Sequence, residues 1–242
     1  MVSDEEYIKQ QKEHYNKIAE RYMDDIPSHV FDYYVKIKCG YIIKNLKSAK
    51  NATALDVGCG LGEHAKEIAK YVKNIIAIDI SSSMIFMAEK IRHEDNLNYI
   101  ISNAINLPFK SQTFDLVFSI GLLHHLVTEK NCIQYLRESA RVVKNNGYVV
   151  VSDINANNPL WNIILKRAKF TDTGDETIWK MPEIKKFFAD AGLDIINIFY
   201  FGAVANFIPK QLVPIFDTMG KLIQKTPLHI FGAHYYVISR KI

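Results

Sequence analysis

The feature that most narrows the fold of this 242-residue chain is a run of alternating glycines, Gly58-Cys59-Gly60-Leu61-Gly62. It lies between the apolar segment Ala54-Leu55-Asp56-Val57 and the helix-forming residues that start at Glu63. A buried strand that ends in three glycines and passes at once into an amphipathic helix is the opening turn of a nucleotide-binding βαβ unit. Gly58 can adopt the dihedrals of a tight turn, Gly60 lets a ligand lie against bare backbone, and Gly62 lets chain and helix approach closely. Asp79 ends the next apolar segment, 23 residues after Asp56, where a carboxylate can accept hydrogen bonds from both hydroxyls of a ribose.

What the turn lacks narrows the ligand further. A dinucleotide fingerprint wants its third glycine at position 63, where this chain has Glu63. A carboxylate there would face a pyrophosphate at a helix N-terminus, an unfavourable pairing that argues against a nicotinamide-dependent oxidoreductase. A phosphate loop ending in Gly-Lys-Ser or Gly-Lys-Thr is also missing. What remains is a nucleoside ligand without phosphates.

The surrounding pattern alternates. Apolar segments at 52–57, 74–79, 97–102, 114–120 and 148–153 read as strands, and 63–71, 83–92 and 129–143 as helices. Several strands are apolar on consecutive residues, as expected where helices cover both faces of a parallel sheet. The first 50 residues read as helical, with a break at Pro27 and an apolar stripe through Phe31, Tyr34, Val35, Ile42 and Leu46 that Lys38 interrupts. Beyond Asp153 a short helix is expected over 159–169. A second helix begins near Met181, with Pro182 in its first turn and Gly192 just past its end. Segments 193–199 and 233–240 are strand candidates. The apolar stretch between them is broken by Pro209, Pro214 and Pro227 into one or two short helices. The organisation is one domain over 1–242: a helical lid at 1–50, a cofactor-binding core at 51–155, and a remainder at 156–242 that holds the 200–230 insertion.

Charge and cysteine usage bound the partners. The formal net charge is +4, and all of it sits in the last 43 residues, which hold five basic side chains and one acidic. The surplus is too small to argue for nucleic acid. Beside Tyr200, Phe201, Phe207, Phe216 and Phe231 it suits either an anionic substrate or membrane surface, or ordinary solvated lysines over a core. Three widely spaced cysteines, Cys39, Cys59 and Cys132, point to a reducing compartment. The N-terminus is acidic and polar where a signal peptide is basic and then apolar, and no window holds 18 uninterrupted apolar residues. The expected location is cytoplasmic, with peripheral membrane contact left open.

Taken together, LDVGCGLG (55–62), AIDISSSM (77–84), NAINLPFKSQTFDLVFSIGLLHHL (103–126) and ESARVVKNNGYVVVSD (138–153) resemble the class I S-adenosylmethionine-dependent methyltransferases. The nearest branch methylates small molecules such as quinones and other lipids. The resemblance is strong over roughly 50–155 and weak in the flanks. It implies a Rossmann-like, doubly wound α/β sandwich of three layers, with a mostly parallel seven-stranded sheet whose last strand is antiparallel. It also implies S-adenosylmethionine as cofactor. Asp56 and the turn through Gly58, Cys59, Gly60 and Gly62 are similar to the loop that holds the cofactor's methionine end. Asp79 is similar to the ribose carboxylate, with Ile80 and Met84 against the adenine, and Asn103 and Ala104 are similar to the pair at the adenine edge. The family usually has aspartate where this chain has Asn103, whose side-chain oxygen can still accept from an amino group. Met84 also suits an ordinary buried helical face, and Asn103 a turn before Pro108. Ser119 lines the methionine pocket or is a strand-end hydroxyl satisfied by backbone. Tyr15 and Tyr22 are similar to N-terminal tyrosines that approach the methionine end; plain helix packing is the alternative.

The methyl acceptor is expected outside the carboxyl ends of the strands. The loop after the fourth strand carries His124 and His125 there. No further donors accompany them at metal-ligand spacing, so no metal is expected. His124 is the candidate base, able to take a proton from a phenol, hydroxyl or amine as the methyl moves, although alignment of donor and acceptor in a dry cavity can suffice. Asp153 either touches substrate or caps its strand. Aromatic rings at Trp161, Phe170 and Trp179 are available to a sulfonium. Segments 1–35, 155–180 and 200–230 are left to form the acceptor pocket. The expected activity is methylation of a small, apolar or aromatic metabolite by a monomer or homodimer. An RNA or protein methyltransferase and a non-catalytic S-adenosylmethionine-binding homologue are the alternatives.

Overall fold

The computed structural model describes residues 4–22, 27–46, 49–159, 176–204 and 207–241. Seven strands form one sheet: β1 (Thr53–Val57), β2 (Asn74–Asp79), β3 (Leu97–Ile101), β4 (Phe114–Ile120), β5 (Val143–Ile154), β6 (Asp194–Phe201) and β7 (His234–Arg240). Their order is β3-β2-β1-β4-β5-β7-β6. β7 runs antiparallel to both β5 and β6, and the pairings among β1 to β5 are parallel. The described helices are α1 (Asp4–Ile18), α2 (Ser28–Lys44), α3 (Glu63–Ala69), α4 (Ser82–Ile91), α5 (Glu129–Val142), α6 (Met181–Asp190) and α7 (Val213–Ile223).

The consecutive apolar residues of the central strands divide by parity. Leu55, Val57, Val117, Val149 and Val151 face α5 and α6, where Tyr135, Leu136, Ile184, Phe187 and Phe188 close one core. Ala54, Leu116, Phe118 and Val150 face α2 and α3, against Val35, Cys39, Ile42, Ala65 and Ile68. Both sheet faces are therefore covered, which is why these strands read as continuous apolar runs. Each fully buried Leu, Ile, Val or Phe contributes about 1.5–3 kcal/mol relative to an exposed one.

Helix ends follow local chemistry. Ser81 Oγ accepts from Met84 N–H at 3.1 Å and starts α4, and Thr128 Oγ1 accepts from Asn131 N–H at 3.2 Å and starts α5. Gly192, at φ 72°, lies just past the end of α6.

Two boundaries differ from expectation. β5 begins at Val143 instead of 148, because Val143 pairs with Phe114 and the chain passes from α5 into the sheet with no loop; Asn145-Asn146-Gly147 lies beside an irregularity in the strand register. α3 stops at Ala69, two residues early. The helix expected over 159–169 lies, beyond Pro159, outside the described residues, as do Trp161 and Phe170.

The order of the strands reverses at β1, which lies between β2 and β4. The crevice at the carboxyl ends of β1 and β4 is the topological switch point where a doubly wound sheet takes its ligand.

Candidate active site

The turn after β1 sits at that crevice. Its backbone donors are spent internally: Gly58 and Cys59 N–H donate to Ile78 C=O at 2.8 and 2.9 Å, Gly60 N–H to Asp79 Oδ2 at 2.9 Å, and Gly62 N–H to Cys59 C=O at 2.9 Å. Those four N–H groups are therefore not open to a pyrophosphate, which binds in a nest of unspent donors. A Cβ on Gly60 would meet nothing within 4 Å, so space is left against bare backbone there. A Cβ on Gly62 would collide with the Tyr99 hydroxyl, and its φ of 78° is one that side-chain-bearing residues rarely adopt.

Three carboxyl groups surround the turn. Asp56 is 2% exposed, and burial, with Glu63 and Asp79 nearby, pushes its carboxyl well above the usual range. Burial also raises Glu63, to about 6, against its own backbone N–H and Arg92. Asp79 is raised by burial, partly offset by the N–H groups of Ser81, Gly60 and Ile80. Asp56 Oδ2 and Glu63 Oε1 are buried acceptor atoms with no hydrogen-bond partner among the described residues. An acidic cradle of this kind repels phosphate and suits hydroxyl and ammonium donors.

Around the cradle, Met84 is buried with Leu61 and Ile18, and Tyr15, Tyr22 and Met87 pack against them. Both N-terminal tyrosines therefore come to the glycine turn, their rings 6.1 Å apart. Asn16 ties α1 down: its Oδ1 accepts from Ser81 Oγ at 2.7 Å and Ser83 N–H at 3.1 Å, at the start of α4. Ile80 follows directly on β2. Asn103 Oδ1 accepts from Ile105 N–H at 3.1 Å, so its side chain does the work of a turn, and Ala104 packs on the core beneath. Ser119 is wholly buried near the end of β4, beside Tyr135. Cys59 is buried, with its thiol pushed well above its usual value by burial and by Asp79.

Beside the cradle, His124 Nδ1 lies 2.6 Å from Asp153 Oδ1, and His124 N–H donates to Asp153 Oδ2 at 3.2 Å. Burial alone would raise the Asp153 carboxyl, but the His124 charge and hydrogen bond outweigh it and hold it at about 2. A carboxylate only accepts, so it fixes the proton on Nδ1 and leaves Nε2 as the proton-accepting nitrogen of the neutral ring. The His125 ring lies against His124, centroids 3.9 Å apart and planes tilted by 46°, and its Nε2 lies 3.1 Å from the Tyr15 hydroxyl. Trp179 takes no part in this cluster: its indole N–H donates to Leu123 C=O at 3.3 Å and its ring packs on Phe187. Among the described residues no group of three His, Cys, Asp or Glu side chains is placed to hold a metal ion.

One residue stands out that the sequence showed only as a flaw in an apolar stripe. Lys38 of α2 lies with its Nζ 5.7 Å from the Tyr34 ring centroid. Burial lowers its ammonium to about 8 against the opposing pull of Asp153. It also bears electrostatically on His64 and His234. A lysine at a core-facing helix position was its only sequence signal.

A phosphate-free nucleoside cradle at the switch point of a doubly wound sheet, with an oriented histidine beside it, defines a Rossmann-like enzyme that works with a nucleoside cofactor. The chain belongs to the class I S-adenosylmethionine-dependent methyltransferase family, and S-adenosylmethionine is its cofactor. A methyltransferase domain model matches residues 55–151. The uncharacterized protein MJ1252 of Methanocaldococcus jannaschii is 30% identical over 225 residues, covering 91% of this chain and 82% of that one. Two further relatives match over less than half of this chain. The ubiquinone biosynthesis O-methyltransferase of Hydrogenovibrio crunogenus is 30% identical over 48% of each chain. The tRNA (carboxymethyluridine(34)-5-O)-methyltransferase of Arabidopsis thaliana is 34% identical over 40% of this chain and 23% of its own. In fold, the chain is similar to the Haemonchus contortus phosphoethanolamine N-methyltransferase 1 in complex with phosphoethanolamine and S-adenosylhomocysteine, with a TM-score of 0.71 at 17% identity over 99% of this chain and 50% of that one.

The groups present fit the cofactor. Unpartnered acceptors on Asp56 and Glu63 match its hydroxyl and ammonium donors, and open backbone at Gly60 leaves room for it.

Proposed function

We propose that this enzyme methylates a small, apolar or aromatic acceptor, with His124 as the base that takes the acceptor's proton. The observation that carries this reading is the buried His124–Asp153 pair beside the cofactor cradle. Asp79 would hold the ribose hydroxyls, Asp56 the ammonium of the methionine end, and Lys38 its carboxylate. Ile80, Met84, Asn103 and Ala104 would bound the adenine, and Tyr15, Tyr22 and the turn through Gly58, Cys59, Gly60 and Gly62 would flank the methionine end. Ser119 would act from beneath, through the packing under β4.

S-adenosylmethionine supplies a methyl group made electrophilic by its sulfonium. The protein's part is alignment and proton removal. Asp153 keeps the His124 Nδ1 proton in place, so that Nε2 accepts the proton of a phenol, hydroxyl or amine as the methyl arrives. Helix α1 acts as a lid: Asn16 anchors it to α4 and Tyr15 to His125, and together they keep water from the reacting groups.

A tRNA acceptor is the second reading, favoured by the Arabidopsis relative. Against it stands the even balance of charge through residue 199, since an RNA surface calls for a basic stripe. A transfer assay with methyl-labelled S-adenosylmethionine decides between them, run across quinones, phenols, lipids, amines, sugars and bulk tRNA. Label is expected in a small acceptor. Label in tRNA alone reverses the choice of substrate, and label in none favours a non-catalytic binder.

A further inference from the structure

The outer face of α7 is apolar and uncovered. Leu212, Ile215, Met219 and Leu222 fall at helical spacing along one exposed side, with Leu222 64% exposed, and Phe207 and Leu228 in the flanking segments are exposed as well, Phe207 at 79%. The inner face turns toward α2 and the segment that precedes α7. Val213 and Phe216 pack on the cluster of Val30, Val204 and Ile208, Tyr33 donates to Asp217 Oδ1 at 2.9 Å, and Tyr41 donates to Gln224 at 3.2 Å. The exposed stripe is therefore surplus to the fold's own packing. Contiguous apolar surface of this kind marks an interaction site.

Charge says what covers it. Lys210 and Lys225 are exposed on the same segment and make no ion pair with any described residue, while Lys221 pairs with Asp217. Asp217, the one acidic residue in the last 43, has its other oxygen taken by Tyr33. A second copy of this chain docked face to face would bring like charges together. An anionic lipid surface complements the lysines and takes up the apolar stripe at once. No helix among the described residues is long and apolar enough to cross a membrane, and α7 has only 11 residues, so it lies on the surface.

We propose that α7 and its flanking turns rest in the interface of an anionic membrane, helix axis in the membrane plane. The site's position gives the contact a use. Asn155 donates to Ile230 and Gly232 C=O, both at 2.8 Å, and Asn158 to Phe231 C=O at 2.9 Å, which fixes the turn after α7 to the end of β5, next to Asp153. The lipid-facing patch thus borders the catalytic edge, where an acceptor dissolved in the bilayer enters without crossing water.

Co-sedimentation with vesicles tests this without cofactor or turnover, so its outcome is independent of the methylation reading. The protein is expected to sediment with phosphatidylcholine vesicles that contain phosphatidylglycerol and to bind pure phosphatidylcholine roughly tenfold more weakly. Met219→Asp with Leu222→Asp abolishes binding while the circular dichroism spectrum is kept, and Lys210→Gln with Lys225→Gln weakens it about tenfold or more. Absence of sedimentation with any vesicle overturns the proposal. So does equal binding by the aspartate variant, or a dimer in sedimentation equilibrium that this variant dissolves, which would hand the patch to a second copy of the chain.

Discussion

Replacing His124 with alanine is expected to lower kcat by about 10²- to 10³-fold while leaving the affinity for S-adenosylmethionine nearly unchanged. The imidazole does not belong to the carboxylate cradle, so its loss removes proton transfer and not cofactor binding. Asp153→Asn is the companion test. An amide in place of the carboxylate can donate to Nδ1, which favours the tautomer whose proton sits on Nε2, the wrong nitrogen for a base. A fall in kcat of about 10²-fold, with KM changed little, is expected from steady-state kinetics. The carboxyl of Asp153 is held at about 2, so it stays an ionised acceptor for His124 throughout the neutral range, and the Asp153→Asn loss is expected to be present across it. Unchanged turnover in both variants would leave alignment as the whole of the mechanism.

Gly62→Val is the substitution expected to damage the fold most. The added side chain would have to displace the Tyr99 ring, and the backbone would have to hold φ 78° with a β-branched residue at the start of α3. Left-handed strain of about 1–2 kcal/mol and overpacking of about 1–3 kcal/mol together remove a large share of a typical domain's stability. Urea unfolding should show the loss as a lowered midpoint. The milder Gly62→Ala separates the two causes: combined with Tyr99→Leu, it should recover the steric part and retain the conformational part. No recovery would mean that the collision is not the cause.

The local geometry of the proposed cofactor cradle was legible in the sequence because its parts are local. A strand, a glycine turn, a helix and the acidic end of the next strand lie within 56–79, and each is dictated by patterns of two or three residues. His124 was read as the candidate base, but its pairing with Asp153 was not legible, because it is made by strand neighbours. Asp153 ends β5 and His124 follows β4; parallel pairing of those strands brings together residues 29 apart, and nothing in either local sequence announces it. Asp153 was read as a substrate contact or a cap. Tyr15 and His125 are 110 residues apart and meet only because α1 folds over the sheet edge. Asn103 shows the reverse case, since its turn bond to Ile105 is local and was within reach of sequence alone. Lys38 required the packing of α2 against the sheet before a charge on an apolar stripe acquired a purpose.

Calorimetric titration of S-adenosylmethionine into the wild-type chain and into Asp79→Ala and Asp79→Asn tests the central claim most directly. Asp79 also holds Gly60 and Ser81 N–H, so the asparagine variant keeps an acceptor for the turn while removing the charge. The expected result is one site in the wild type, weakened at least about tenfold, or about 1.4 kcal/mol, in Asp79→Ala and less in Asp79→Asn, with all three chains folded. No binding by the wild type, or equal binding by a folded Asp79→Ala, would contradict the account.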